Sequence, residues 1–461
     1  MDVIIKGGTI VTASDQYVAD IGVEGEQITR IGQSLRANGA RVVDATGMYV
    51  IPGAIDAHTH LDMPFGGTVT SDDFETGQIA AACGGTTTHV DYCLQSVGGT
   101  LHEALATWRG KAQGKAVIDY GFHLAVTDLN ANVMAELPAM VNEGITSFKC
   151  FMAYKGVFQI DDATLFQLLE QARELGALVN VHAENGDVVD LLTKRLISEG
   201  MTAPRYHAAS RPLEVEAEAT HRAVALAELA RAPLNVVHMT CEASVRHVNE
   251  ARARGLLDIH GETCPQYLLL NVDQYDEPDF QGAKYVMSPP LRDRKENAFL
   301  WRQLAAGNLE TLMTDHCSFR MSDQKSLGKD NFAKIPNGIP GIETRVPIVF
   351  SEGVGKGRIS LQTMVAAMST NPARMYGMFP KKGCIAVGSD ADIVLIDPKR
   401  RVVLSASTLH QHTDYCPYEG LEVEGYPVVT ISRGEVIYEN DQFVGSKGRG
   451  KYIKRGQYQA P

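Results

Sequence analysis

The sequence predicts an α/β protein: a (β/α)8 TIM-like barrel carrying a small β-sandwich built from both ends of the chain. Three observations lead there. Between residues 51 and 375, apolar runs alternate with helical patterns, giving eight candidate strands. The first fifty residues instead read as short β-runs broken by glycine, as in "DVIIKGGTIVTA" and "YVADIGVEGEQITRIG". The same texture returns after residue 384, in "CIAVGSDADIVLIDP" and "YPVVTISRGEVIYENDQF". A domain inserted into such a sandwich is compatible with chain ends that lie close in space. The expected divisions are a discontinuous sandwich over 1–50 and 376–440, a barrel over 51–375 and a C-terminal arm over 441–461.

In chain order the first four candidate strands are "VIPGAIDAHTH", "TTTHVDYCL", "VIDYGFHLAVT" and "ITSFKCFMAY". The second four are "ALVNVHAEN", "LNVVHMTC", "LDIHGETCP" and "LETLMTDHCS". Between the fourth and fifth, "DDATLFQLLEQARELG" sets Leu165, Leu168, Leu169, Ala172 and Leu175 at helical spacing. Asp162 is placed to cap that helix, and Gly176 follows its last turn. A doubly wound open sheet shares this periodicity, but eight units favour a barrel. No GxGxxG opens a helix after a strand, so a dinucleotide fold has little support. The basic tail "FVGSKGRGKYIKRGQYQAP" is expected to be a loosely structured arm that contacts another subunit.

Composition narrows the partners. The 461-residue chain carries a formal net charge of −12, which disfavours nucleic acid and anionic membrane surfaces. No run approaches the ~20 apolar residues of a membrane span. The start "MDVIIKGGTIVTASD" has no signal-peptide pattern. Eight cysteines stand singly with no CxxC pair, as expected of free thiols in a reducing cytoplasm. A soluble cytoplasmic protein is the expectation.

In a β/α barrel the chemistry lies at the C-terminal ends of the strands. Strand one ends in His58 and His60, two apart and so on one face of the strand. Strand four carries Lys149, strand five ends at His182, strand six at His238, and strand eight at Asp315. Each alone has a plainer reading. A strand-end histidine is usually a hydrogen-bonded structural residue, and an aspartate there often caps the next loop. Lys149 could reach water from its strand's end. Together, at one barrel mouth, they point to a metal site. Four imidazoles and one carboxylate are few donors for two divalent ions and many for one. An ammonium is a bad ligand, having no lone pair. A deprotonated Lys149 that captured carbon dioxide would become an anionic carbamate able to bridge two metals.

The stretches "GAIDAHTHLDMPFGG", "SFKCFMAYKG", "VNVHAENGD", "HMTC", "GETCPQYL" and "LMTDHCSF" resemble cyclic amidohydrolases of the amidohydrolase superfamily, nearest the dihydropyrimidinase and D-hydantoinase group. The resemblance covers nearly the whole chain. It implies two divalent ions, usually zinc, bridged by N6-carboxylated Lys149. His58, His60 and Asp315 would hold the more buried ion, and His182 and His238 the more exposed one. Manganese, cobalt or iron suit the same ligands. The implied reaction is attack of a metal-bridging hydroxide on a ring amide carbon, with Asp315 moving the proton and Tyr154 donating to the oxyanion. By the same resemblance, Ser288 and Asn337 hold the cyclic imide through their backbones. Met63, Phe65, Phe151 and Phe158 line a pocket for the substituent at C5 of a hydantoin. Packing alone is the plainer reading of Tyr154 and of those four, and simple turns that of the Ser288 and Asn337 segments. The group also implies a homotetramer, or failing that a homodimer.

"HTHLDMPFGG" lacks the arginine that dihydroorotases carry after HxH, and the "EPG" typical of allantoinases is absent. An apolar entrance argues against an anionic substrate. Two alternatives stand beside hydantoin or dihydropyrimidine hydrolysis. One is an allantoinase-type ring-opening enzyme. The other is a non-catalytic scaffold resembling dihydropyrimidinase, disfavoured because every ligand position is filled.

Overall fold

In the computed structural model, which describes residues 1–256 and 258–461, Gly53 divides one apolar run between two sheets. Tyr49–Pro52 pairs in the terminal sheet, and Ala54–Thr59 is the first barrel strand. The sequence reading took this run as a single strand. Glycine is required at the division because a Cβ there would lie 2.1 Å from Thr87 Oγ1.

Eight parallel strands pair consecutively: Ala54–Thr59, Thr86–Leu94, Asp119–Ala125, Ser147–Phe151, Leu178–His182, Leu234–Val236, Ile259–Thr263 and Thr311–Leu312. The eighth meets the first through a parallel bridge between Thr59 and His316, where the His60 amide donates to the His316 carbonyl at 2.8 Å. Buried Asp56 reinforces that closure by accepting from the Thr314 amide at 3.2 Å and its hydroxyl at 2.6 Å. The candidate strand "LDIHGETCP" begins at 257, outside the described residues. The helix Asp162–Leu175 buries Leu165, Leu168, Leu169 and Ala172 against the barrel, as its spacing predicts. Its cap lies one residue earlier than expected. Asp161, in extended conformation, accepts from the Thr164 amide at 2.8 Å, whereas Asp162 is already helical. Gly176 ends the helix at φ +65°.

The second sheet has nine strands. Val3–Val11, Gln16–Glu24, Gln27–Gly32, Arg41–Asp44 and Tyr49–Pro52 come from one end of the chain. Ile393–Val403, Glu422–Ser432, Glu435–Glu439 and Gln442–Phe443 come from the other. The seam is antiparallel, with Val50 opposite Leu395, and the layer packs around Ile5, Ile21, Val50, Ile393, Leu395 and Ile431. Asp119, at the start of the third barrel strand, meets Lys382 Nζ at 2.7 Å and Arg433 Nε at 2.9 Å, tying the barrel to this layer. Lys382 also pairs with Asp390 and Asp392, so that acidic cluster already holds its cation.

The tail differs from expectation. It lies along the N-terminal floor of its own barrel, where Tyr120 exchanges backbone bonds with Lys451 and Ile453. Arg455 is buried there, donating to the Phe122 carbonyl and to Ser147 Oγ. A basic side chain predicts solvent only until a barrel floor offers it acceptors. Among the described residues, no helix is long and apolar enough to cross a membrane.

Candidate metal centre and substrate pocket

The barrel strands deliver the predicted ligands to one cavity at their C-terminal ends. His58, His60, Lys149, His182, His238 and Asp315 all line it. Short strands put two of them on the turns that follow, since strand six stops at Val236 and strand eight at Leu312. His238 and Asp315 sit at φ +42° and +52°, and Tyr154 at +66°. Non-glycine residues in this left-handed region cost on the order of 1 kcal/mol each, a strain that recurs at functional sites.

The histidines fall into two groups. His58 Nε2 lies 3.2 Å and His60 Nε2 3.0 Å from the same oxygen of Asp315. His182 Nδ1 and His238 Nε2 face each other at 3.0 Å. The far nitrogens explain these orientations. His58 Nδ1 meets Glu262 at 2.6 Å, and His182 Nε2 meets Glu184 at 2.8 Å. Ionised Glu184 fixes the proton on His182 Nε2 and leaves the Nδ1 lone pair directed into the cavity, whereas burial raises the pKa of the Glu262 carboxyl beside His58. Burial holds the pKa of His58, His182 and His238 below the ordinary histidine range, which keeps the imidazoles neutral. Glu184 is itself buried, which opposes its charge. Arg211, at 2.6 Å, and His182 nonetheless bring its carboxyl down to about 2.

Lys149 is the anomaly of the site. It is 1% exposed, and its Nζ has no hydrogen-bond partner. The amine lies over the rings of Tyr92 and Phe151 at 5.1 and 5.2 Å. Burial pushes its pKa down to about 8 against the pull of the Asp315 and Glu262 charges. It does not reach water, as a strand-end lysine would. An unpartnered buried amine among converging imidazole lone pairs fits divalent ions and a modified lysine better than it fits a free ammonium.

Above the candidate ligands, Phe65, Phe151, Tyr154 and Phe158 form one aromatic cluster. Phe65 stacks on Phe158 at 6.0 Å, and Tyr154 meets Phe65 edge-on at 5.7 Å. Met63, Ser288 and Asn337 line the same cavity. Asn337 Nδ2 donates to Ser288 Oγ at 3.0 Å. Every candidate residue read from the sequence therefore borders one space.

Sequence reasoning assigned no role to Glu184, Glu262 or Arg211. Two of the three were within reach of it. Glu262 lies on strand seven one residue short of its C-terminal end, and Glu184 stands two residues after His182. Arg211, reaching the site from outside the strands, leaves no local pattern.

A family model described as "Amidohydrolase family" matches residues 49–437. The chain is similar to the D-hydantoinase of Geobacillus stearothermophilus, with 56% identity over 461 residues, covering 100% of this chain and 98% of that one. It is 49% identical to the D-hydantoinase of Ralstonia pickettii over 458 residues, covering 99% of this chain and 100% of that one. The solved structure of a dihydropyrimidinase from Brevibacillus agri superposes with a TM-score of 0.99 at 56% identity, with 100% of both chains covered.

Proposed function

This chain belongs to the amidohydrolase family, and from that premise we propose that it hydrolyses the cyclic amide bond of 5-substituted hydantoins, dihydropyrimidines or both, giving N-carbamoyl amino acids. The observation that carries this reading is the buried, unpartnered Lys149 amine between two groups of imidazoles under an aromatic pocket. His58, His60 and Asp315 would hold one divalent ion, and His182 and His238 the other, with N6-carboxylated Lys149 shared between them. Zinc suits imidazole and carboxylate ligands, as do manganese, cobalt and iron. Bound ions of this kind supply Lewis acidity and lower the pKa of water.

The chain's own groups do the rest. Asp315 takes a proton from the attacking water and returns it to the ring nitrogen as the carbon–nitrogen bond breaks. Tyr154 donates its hydroxyl to the carbonyl oxygen as charge develops there. Burial raises its phenol pKa, so the proton stays available. Tyr154→Phe is expected to lower kcat by about 10²–10³-fold with little change in metal content. Steady-state kinetics beside elemental analysis checks this. Backbone groups at Ser288 and Asn337 hold the imide ring, while Met63, Phe65, Phe151 and Phe158 receive the C5 substituent. The same reading takes the enzyme to be cytoplasmic and a homotetramer, with a homodimer as the second choice. It takes a discontinuous sandwich over 1–50 and 376–440, a barrel over 51–375 and an arm over 441–461 as the working divisions.

The test is ring opening of dihydrouracil beside 5-phenylhydantoin, using metal-replete and chelator-stripped protein. Chelator-sensitive opening of either ring is expected, and the ratio of rates names the preferred class. Inactivity on both with metal bound would overturn the reading and make allantoin the next substrate to try.

A further inference from the structure

Lys325 is 0% exposed, yet it stands apart from the metal ligands and belongs to none of the roles above. It opens a short 3-10 turn, Lys325–Gly328. Its Nζ donates to the carbonyls of Val286 at 2.7 Å, Pro336 at 2.8 Å and Gly338 at 2.7 Å. Burial pushes its pKa down to about 7, and in the ammonium form that these three carbonyls accept from, all three N–H groups are used. Among the described residues, no carboxylate lies within ion-pair distance of it.

Burying a cation on neutral acceptors is a costly way to stabilise a fold, and a packed apolar side chain would do as well. What the ammonium does that an apolar group cannot is fix three carbonyls at once. Those carbonyls belong to two segments far apart in sequence. One leads into Ser288 and the other flanks Asn337. The segments share one further backbone bond, from the Gly338 amide to the Val286 carbonyl at 3.0 Å, besides the side-chain bond from Asn337 to Ser288. Only glycine fits at 338, because its φ is +145° and a Cβ there would lie 2.4 Å from the Cys317 carbonyl oxygen.

We propose that Lys325 is a positioning residue for substrate recognition: its ammonium sets the spacing between the backbone at 286–288 and at 336–338, and so the grip on the imide ring. The proposal rests on the ring-opening activity proposed above. It predicts a selective defect. In Lys325→Met, which keeps much of the side-chain length and removes the ammonium donor from all three carbonyls, leaving Val286 only its bond from the Gly338 amide, KM for both rings is expected to rise about tenfold or more. The expected kcat stays within about threefold and metal content is unchanged, since no ligand is touched. Lys325→Gln, with two N–H donors, should fall between wild type and Lys325→Met, and it serves if the methionine variant does not fold. Asn337→Ala should cost less in a Lys325 variant than in wild type, because both changes loosen the same grip.

Wild-type protein is assayed in parallel. An active wild type and a folded variant with unchanged KM would overturn the role of Lys325 alone. The same holds if activity falls only in proportion to the folded or metal-loaded fraction, with KM constant. An inactive wild type would instead overturn the activity reading, and this inference with it.

Discussion

Lys149→Met is expected to lose ring opening and metal together, with kcat down by on the order of 10³-fold or more and well under two metal ions per chain. The argument turns on what a methionine changes. The side chain lies between the Tyr92 and Phe151 rings with no polar partner, so a thioether of similar size should pack there without opening a cavity. Removing a buried amine whose desolvation outweighs the attraction of the Asp315 and Glu262 charges should leave the melting temperature unchanged or raised in metal-free protein. A purely structural cation would give the opposite pattern, with the fold weakened and activity following the folded fraction. Metal analysis, kcat and a thermal melt on the same preparation separate the two. Full turnover with two ions bound would remove Lys149 from the centre.

Asp315→Asn is expected to lower kcat by roughly 10³-fold, a larger loss than the accompanying loss of metal explains. The amide keeps the shape and one oxygen, so part of the ligand function survives, but it cannot accept and return a proton. The carboxylate is held where both duties meet, 3.0 Å from His60 and 3.2 Å from His58, on a backbone at φ +52°. If kcat and metal content fall in parallel, Asp315 is a ligand and the proton carrier must be sought elsewhere.

How legible was this centre in the sequence? The candidate ligands were visible because a barrel turns strand order into geometry. Residues at successive strand ends share one mouth whatever their separation along the chain. The same rule, applied to strand seven, would have found Glu262. Lys149 stood out because an apolar strand is the wrong place for an unpaired charge. What the sequence left hidden depends on contacts with no local signature. Arg211 reaches Glu184 across 27 residues, and Lys325 reaches back to Val286 across 39. The division of one run at Gly53 depends on the crowding of Thr87, which no pattern of hydrophobicity encodes. The packing of the tail against its own barrel was hidden for a related reason. Its basic residues resemble a solvated arm until the acceptors on the barrel floor are known. Helix boundaries came within a residue because capping is local, and even there the two adjacent aspartates divided the role unexpectedly.

The seam between Val50 and Leu395 joins strands separated by roughly 340 residues, and closing so long a loop before anything else forms is entropically costly. The barrel between them can form first, through pairings of neighbouring strands, and in doing so bring the two ends of that loop together. Assembly of the terminal sheet is then a late event that reports completion of the barrel. Because Tyr49–Pro52 continues across Gly53 into the first barrel strand, an unfinished sheet leaves the segment that enters that strand unpaired. In refolding, the pairing of Val50 with Leu395 is therefore expected to follow closure of the barrel.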